Sequence, residues 1–243
     1  MTDTSPALPD FPNLRAIKEG GPPPPPAAAE APAPTPGPPR SSSGAVHWNH
    51  NLICAVDVET TGTDPQKHEI IQIALVPLAP DLTPRKDVLP FYTEIAPMHP
   101  EWADPEAMRV CKLDVDKLLE TAMDQWRVAD LFEEWFERLN LPWRKQILPL
   151  AHNFPFEAGF LRAWLGSLSY EHFFFGYRDT MTIANMLNDI ADMNNEPRPF
   201  PKVSLTYLCS QLMVENRNPH DALGDAVATA ECYKKLVTRY RIY

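Results

Sequence analysis

The chain has 243 residues, 44% of them hydrophobic, and a formal net charge of −10 at pH 7. That charge disfavours broad electrostatic binding to long nucleic acid, and four cysteines without any CxxC spacing argue against a zinc site or a disulfide framework. No apolar run approaches the roughly 20 residues needed to span a bilayer, and the N-terminus lacks the basic start and apolar stretch of a leader, so a soluble, cytoplasmic protein is expected.

Residues 1–45 hold 13 of the 28 prolines, including the tract GGPPPPPAAAEAPAPTPGPPRSSSG between Gly20 and Gly44. Such a segment has too few apolar side chains to offset the cost of ordering it, and is expected to be a disordered, polyproline-like tether. Within it, Leu8–Ile17 (LPDFPNLRAI) spaces its apolar residues as a short docking segment would. Residues 46–243 are enough for one domain with a full core.

Asn51–Glu59 reads as a buried strand, apolar on both faces until acids interrupt it. Thr63–Pro65 breaks it, and Glu69–Leu78 (EIIQIALVPL) supplies a second strand. Phe91–Ile95 gives a third, closing an antiparallel meander. From Asp104 to Asn140 the spacing turns helical. One stripe there is Leu118, Leu119 and Met123, another is Leu131, Phe132, Trp135, Phe136 and Leu139, and both read as core. Gln146–Ala151 is a short strand running straight into a helix at HNFPFEAGFLRAWLG. A further strand is expected within Tyr170–Tyr177, helices over Asp179–Asp192 and Ser204–Val214, and a last helix from about Asp221 to Tyr240. Three strands followed by alternating helices and strands predict an α/β fold, a mixed sheet with helices on its faces.

Three acidic oddities interrupt this pattern. Asp57 and Glu59, in CAVDVETTG, stand two apart on a strand and so point to one face, at the carboxyl end where ligands of open α/β sheets bind. A surface pair bridged to Lys or Arg is the competing arrangement. Glu157 shares or borders a helical face with Phe160, Leu161, Trp164 and Leu168, behind Asn153 as helix cap and Pro155 in the first turn. Asp225 lies among Ala222, Gly224, Ala226, Ala228 and Ala230, small residues that let a helix press closely on its neighbour, with His220 just before it. Four acids from three distant segments can share one place only if cations sit between them, and all-oxygen ligands select Mg²⁺ or Mn²⁺. Two such ions can clamp the oxygens of a phosphodiester, and a neutral His beside them can take a proton from water.

The order DVETTG, HNFPFEAGFL, HDALGDA resembles the three exonuclease motifs of the DnaQ-like (DEDDh) 3′–5′ exonuclease superfamily, which includes polymerase proofreading domains. The likeness covers most of residues 51–240, and EIIQIALV and RDT also look like the family. It implies an RNase H-like fold in which Asp57, Glu59, Glu157 and Asp225 hold two Mg²⁺ or Mn²⁺ and His220 is the general base. Thr60 and Thr61 would hold the terminal sugar, and Asn153 would also face substrate; apart from the resemblance, Phe154, Phe156 and Phe160 are candidates to stack on bases, with helix packing an equal account of Phe160. The family carries Asp where this chain has Glu157, one methylene longer.

The activity expected is release of nucleoside 5′-monophosphates from single-stranded 3′ ends, DNA in preference to RNA, in proofreading or end trimming. Two alternatives stand beside it: a short-RNA exonuclease, and a nucleic-acid-binding adaptor weakened by Glu157. The tail is expected to recruit a polymerase or another replication protein, and no membrane is involved.

Overall fold

The structure, a computed structural model, describes residues 51–239; the expected tether over residues 1–45, its Leu8–Ile17 segment and the end of the last helix at Tyr240 lie outside them. Strand β1 (Leu52–Thr60) pairs antiparallel with β2 (Ile70–Pro77), and β2 antiparallel with β3 (Phe91–Ala96), the meander expected from sequence. On its other side β1 pairs in parallel with β5 (Ile147–Ala151), which in turn pairs with β6 (Arg178–Asp179). The two-residue β4 (Met123–Asp124) extends the far edge beside β3, giving the order β4-β3-β2-β1-β5-β6. All eight residues of β2 are buried, as a strand covered on both faces requires.

The helices are α1 (Pro105–Cys111), α2 (Val115–Thr121), α3 (Gln125–Arg138), α4 (Phe154–Leu165), α5 (Leu168–His172), α6 (Thr180–Met193), α7 (Leu205–Leu212) and α8 (Ala222–Arg239). Side chains of Asp104, Asp114, Asp124, Asp179 and Ser204 accept backbone N–H bonds at the starts of α1, α2, α3, α6 and α7. These short oxygen-bearing residues satisfy amides that a helix leaves unpaired at its start.

The alternation along β1 divides the core. Leu52, Cys54, Val56 and Val58 face Phe132 and Trp135 of α3 and Phe160 and Leu161 of α4. Ile53 and Ala55 face Ala222, Ala226 and Ala230 of α8. Asp57 and Glu59 continue this second row, so the acids stand where α8 presses on the sheet. Pairing with β5 stops at Ala55, opposite Leu150, whereas pairing with β2 continues to Thr60. The end of β1 therefore borders a notch on the β5 side, next to the start of α4.

Two expectations need correction. The stripe Leu118, Leu119, Met123 is not one face: Leu118 is buried, but Leu119 is 47% and Met123 39% exposed. The helix stops at Thr121 and Met123 belongs to an edge strand, so helical spacing does not carry across. Tyr170–Tyr177 is not a strand. It begins in α5, touches β5 through the Phe174 N–H to Ile147 O bond at 2.7 Å, and gives way to β6. The aromatic run favours strand in isolation, but the parallel neighbour β5 has only five residues to pair with. Among the described residues no helix is long and apolar enough to cross a membrane.

Candidate active site

Glu59, His220 and Asp225 converge: one ligand atom of each lies within 4.8 Å of the other two. Glu59 comes from the end of β1, Asp225 from the first turn of α8, and His220 from the turn before it. Asp57 stands outside this trio but feels it. Burial, and then the charges of Glu157, Asp225, Glu59 and Asp221, hold its carboxyl well above the usual carboxylate range. Glu59 is pushed up to about 7 by burial and then by Asp225 and Asp221. Every charge acting on these two groups is another carboxylate, so the pairing with Lys or Arg left open by the sequence does not occur.

Glu157 closes the site from α4. It is 4% exposed and its Oε2 is buried without a hydrogen-bond partner. Burial raises its carboxyl well above the ordinary range, outweighing the pull of a bond from its own backbone N–H, and Asp179 adds to the rise. A buried carboxylate oxygen without a donor, beside three further acids, is a costly arrangement for the protein alone. It is the arrangement a hard divalent cation satisfies, and these residues fit such an ion.

The helix starts aim these groups, though not always as expected. Asn153 occupies the cap position of α4 in a left-handed conformation (φ 76°), but its side chain makes no capping bond. Asp179 takes that task from another segment, accepting the Phe154 N–H at 2.7 Å through Oδ2 and the Thr182 N–H at 2.9 Å through Oδ1. At α8, Asp221 Oδ1 accepts the Gly224 N–H at 3.0 Å. Asp225 accepts the His220 N–H at 3.2 Å and the side-chain amide of Asn216. His220 is exposed and left-handed (φ 66°), bent so that its amide and ring both turn toward Asp225.

The residues expected to touch substrate are placed less uniformly. Thr60 Oγ1 donates to Gly62 O at 2.6 Å. Thr61 is fully buried, its hydroxyl accepting the Glu69 N–H, its own N–H donating to Glu69 O and its carbonyl accepting the Asp104 N–H. Both threonine side chains thus serve the turn itself. Phe156 is half-buried with its ring 4.9 Å from that of Phe160, while Phe154 and Phe160 are buried in the core and leave no face for a base to stack on. Asp221, Asn216 and Asp179 do not announce themselves in the sequence as site residues. Asp221 was in view inside HDALGDA, and Asp179 inside RDT, but both are ordinary cap residues, and nothing local marks Asn216.

The chain matches known proteins along the same stretch. A family model described as Exonuclease matches residues 54–233. The PolC-type DNA polymerase III of Oceanobacillus iheyensis is 27% identical over 185 residues, 75% of this chain but 11% of that protein, so the chain spans about a tenth of the curated relative. Among solved structures, E. coli exonuclease I in complex with a dT13 oligonucleotide aligns at a TM-score of 0.60 and 18% identity, covering 78% of this chain and 41% of that one. The nuclease domain of 3′hExo, a DEDDh family member bound to rAMP, aligns at 0.56 and 18%, covering 80% and 96%. At these identities the likeness concerns the fold, which is the mixed sheet and helical coat expected.

Proposed function

This chain belongs to the exonuclease family, and from that premise we propose that it hydrolyses single-stranded nucleic acid from the 3′ end, with DNA as the preferred substrate. The observation that carries the reading is the meeting of Glu59, His220 and Asp225 within 4.8 Å, backed by Asp57 and by the unpartnered oxygen of Glu157. Asp57, Glu59, Glu157 and Asp225 are the groups that would hold two Mg²⁺ or Mn²⁺ ions. Such ions, when bound, polarise a phosphodiester and lower the pKa of water.

The protein's own residues do the rest. The four carboxyl groups are crowded enough that each raises the cost of ionising the others until cations are bound, so they would fix where the cations, and through them the phosphate oxygens, sit. His220, exposed at the rim, accepts the proton of the attacking water at a ring nitrogen, and its left-handed backbone keeps the ring over the acids. The buried turn Thr60–Gly62 follows the acids at the end of β1, with its hydroxyls committed to Gly62 O and the Glu69 N–H rather than to a terminal sugar. The DNA preference is supported by the TTG turn and by the polymerase relative; the bound rAMP of 3′hExo belongs to that protein but makes RNA the comparison to run. The replication setting and a recruiting role for residues 1–45 rest on the same relative and on the tail's composition.

The test is mononucleotide release from matched 3′-labelled DNA and RNA oligomers in Mg²⁺ or Mn²⁺. Wild type should release 5′-mononucleotides, faster from DNA, and Asp57→Ala should release none. Tight binding without release would favour the adaptor reading. Removing residues 1–45 should leave short-oligomer hydrolysis unchanged if that segment only recruits.

A further inference from the structure

The turn that carries His220 is fastened to the sheet by a chain of side chains the catalytic reading does not use. Gln72 lies on β2 directly opposite Glu59 on β1, so the two share a face of the sheet. It is a buried amide, 3% exposed, and both its ends are engaged. Its Oε1 accepts the Ala222 N–H at 2.8 Å, at the first residue of α8. Its Nε2 donates to Tyr92 Oη at 3.1 Å, and Tyr92 Oη donates in turn to Asp221 Oδ2 at 2.9 Å.

The direction of this relay is fixed by chemistry. The amide must donate through nitrogen, which leaves the phenol to donate onward to the carboxylate. The Tyr92 phenol is pushed up to about 12, by burial and then by the bond to Asp221, so it keeps its proton across the working pH range. Asp221 is thereby held at both oxygens, by Tyr92 on one and by the Gly224 N–H on the other. His220 is the next residue back, and its left-handed conformation is held on the other side by its own N–H to Asp225 and by the Asp221 N–H to Asn218 O bond at 3.2 Å that closes the turn around it. A non-glycine residue in that region is costly and persists where neighbours over-determine it.

Resting on the exonuclease reading above, we propose that Gln72 and Tyr92 are positioning residues for His220, setting the turn that presents its ring to the acids from two strands that themselves contribute no ligand. A purely structural cap for α8 would need only Gln72 and the Asp221 oxygen that accepts the Gly224 N–H. The phenol and the second oxygen of Asp221 add nothing to that cap, yet they lock the residue adjoining His220.

The test is Tyr92→Phe, which removes one oxygen from a half-exposed ring and leaves packing intact, so the full-length protein should melt within a few degrees of wild type. On a single-stranded DNA oligomer kcat should fall about ten-fold with KM unchanged within about two-fold. In a His220→Ala background the same substitution should cost less than about two-fold, because two residues acting through one another are not additive. An equal fall in both backgrounds, or no fall in the first, overturns the inference while leaving the exonuclease reading standing. A wild-type protein that binds but releases no nucleotide overturns both. The ring C–H resonances of His220 give a readout independent of turnover: Tyr92→Phe should move them, and their constancy would count against positioning.

Discussion

Asp179 and Phe154, 25 residues apart, are joined by a 2.7 Å bond from the Phe154 N–H to the Asp179 carboxylate. The same carboxylate caps α6 through Thr182, so one buried side chain sets the starts of two helices. Glu157 lies three residues beyond Phe154, and its position in the site is inherited from this anchor. Asp179→Ala leaves two amides at helix starts without their acceptor and should cost about 3 kcal/mol of stability. A urea titration measures this directly. The variant should also bind Mn²⁺ more weakly, since the helix bearing Glu157 loses its fixed entry. A urea midpoint equal to wild type would mean the anchor lies elsewhere.

Glu157→Gln should separate stability from activity. The carboxylate is buried, has an unpartnered oxygen and sits beside Asp57. A neutral amide of the same shape removes a group whose charge is disfavoured there, so at pH 8 in a chelator the variant should be about 1–3 kcal/mol more stable than wild type. It also removes a carboxylate proposed above to hold a cation, and hydrolysis should fall about 100-fold. Calorimetry and the nucleotide-release assay read the two effects on one preparation. A variant that is less stable in chelator would contradict the crowding described for this site.

The acids also predict how stability depends on pH. Glu59 is raised from an ordinary 4.5 to about 7 by burial and neighbouring carboxylates. The folded chain therefore holds a proton there that the unfolded chain releases near 4.5. That contribution is fully present below about 4.5 and is lost as pH rises through about 7. Asp57 and Glu157 are shifted in the same direction. In a chelator, the melting temperature should fall between pH 5 and pH 8, and Glu59→Gln should flatten the slope. Mn²⁺ at pH 8 should restore much of the loss, because the ion binds the deprotonated folded form. A flat wild-type profile in chelator would count against the clustering of these acids.

Much of this arrangement was legible in the residues. Acids at alternate positions of an apolar strand, as at Asp57 and Glu59, can only share a face, and the alanines of α8 could only mark a close approach to the sheet. The meander followed from Ile- and Val-rich runs bounded by breakers. What was not legible depends on partners remote in sequence. Asp179 looks like a cap for its own helix, and nothing near it names Phe154 as a second donor. Gln72 reads as one more strand position until the sheet register sets it opposite Glu59. Only resemblance gives Thr60 and Thr61 a part in sugar binding, whereas the turn needs their hydroxyls for Gly62 O and the Glu69 N–H. The strand expected within Tyr170–Tyr177 failed for a related reason: aromatic propensity is local, and the length of β5 is not.

Gly224 offers a last test, because it measures how tightly the His220 turn is held. A Cβ built at this position would lie 2.7 Å from the backbone oxygen of Asn218, closer than real carbon atoms come, and 3.4 Å from the Asn218 Cβ. Backbone cannot swing aside as a long side chain can, so Gly224→Ala must displace either the first turn of α8 or the segment from Asn216 to His220. The helix is pinned by Ala222, Ala226 and Ala230 against the sheet, and its Ala222 amide by Gln72, so the segment is the part that yields. The variant should lose about 1–3 kcal/mol through overpacking. It should also lose hydrolysis out of proportion to that loss, because Asn216 would leave Asp225 and His220 would leave the rim of the acids. Gly224→Ser should behave alike, since it adds the same carbon. Normal turnover by either variant would show that the turn has slack, and that His220 does not need the conformation it holds here.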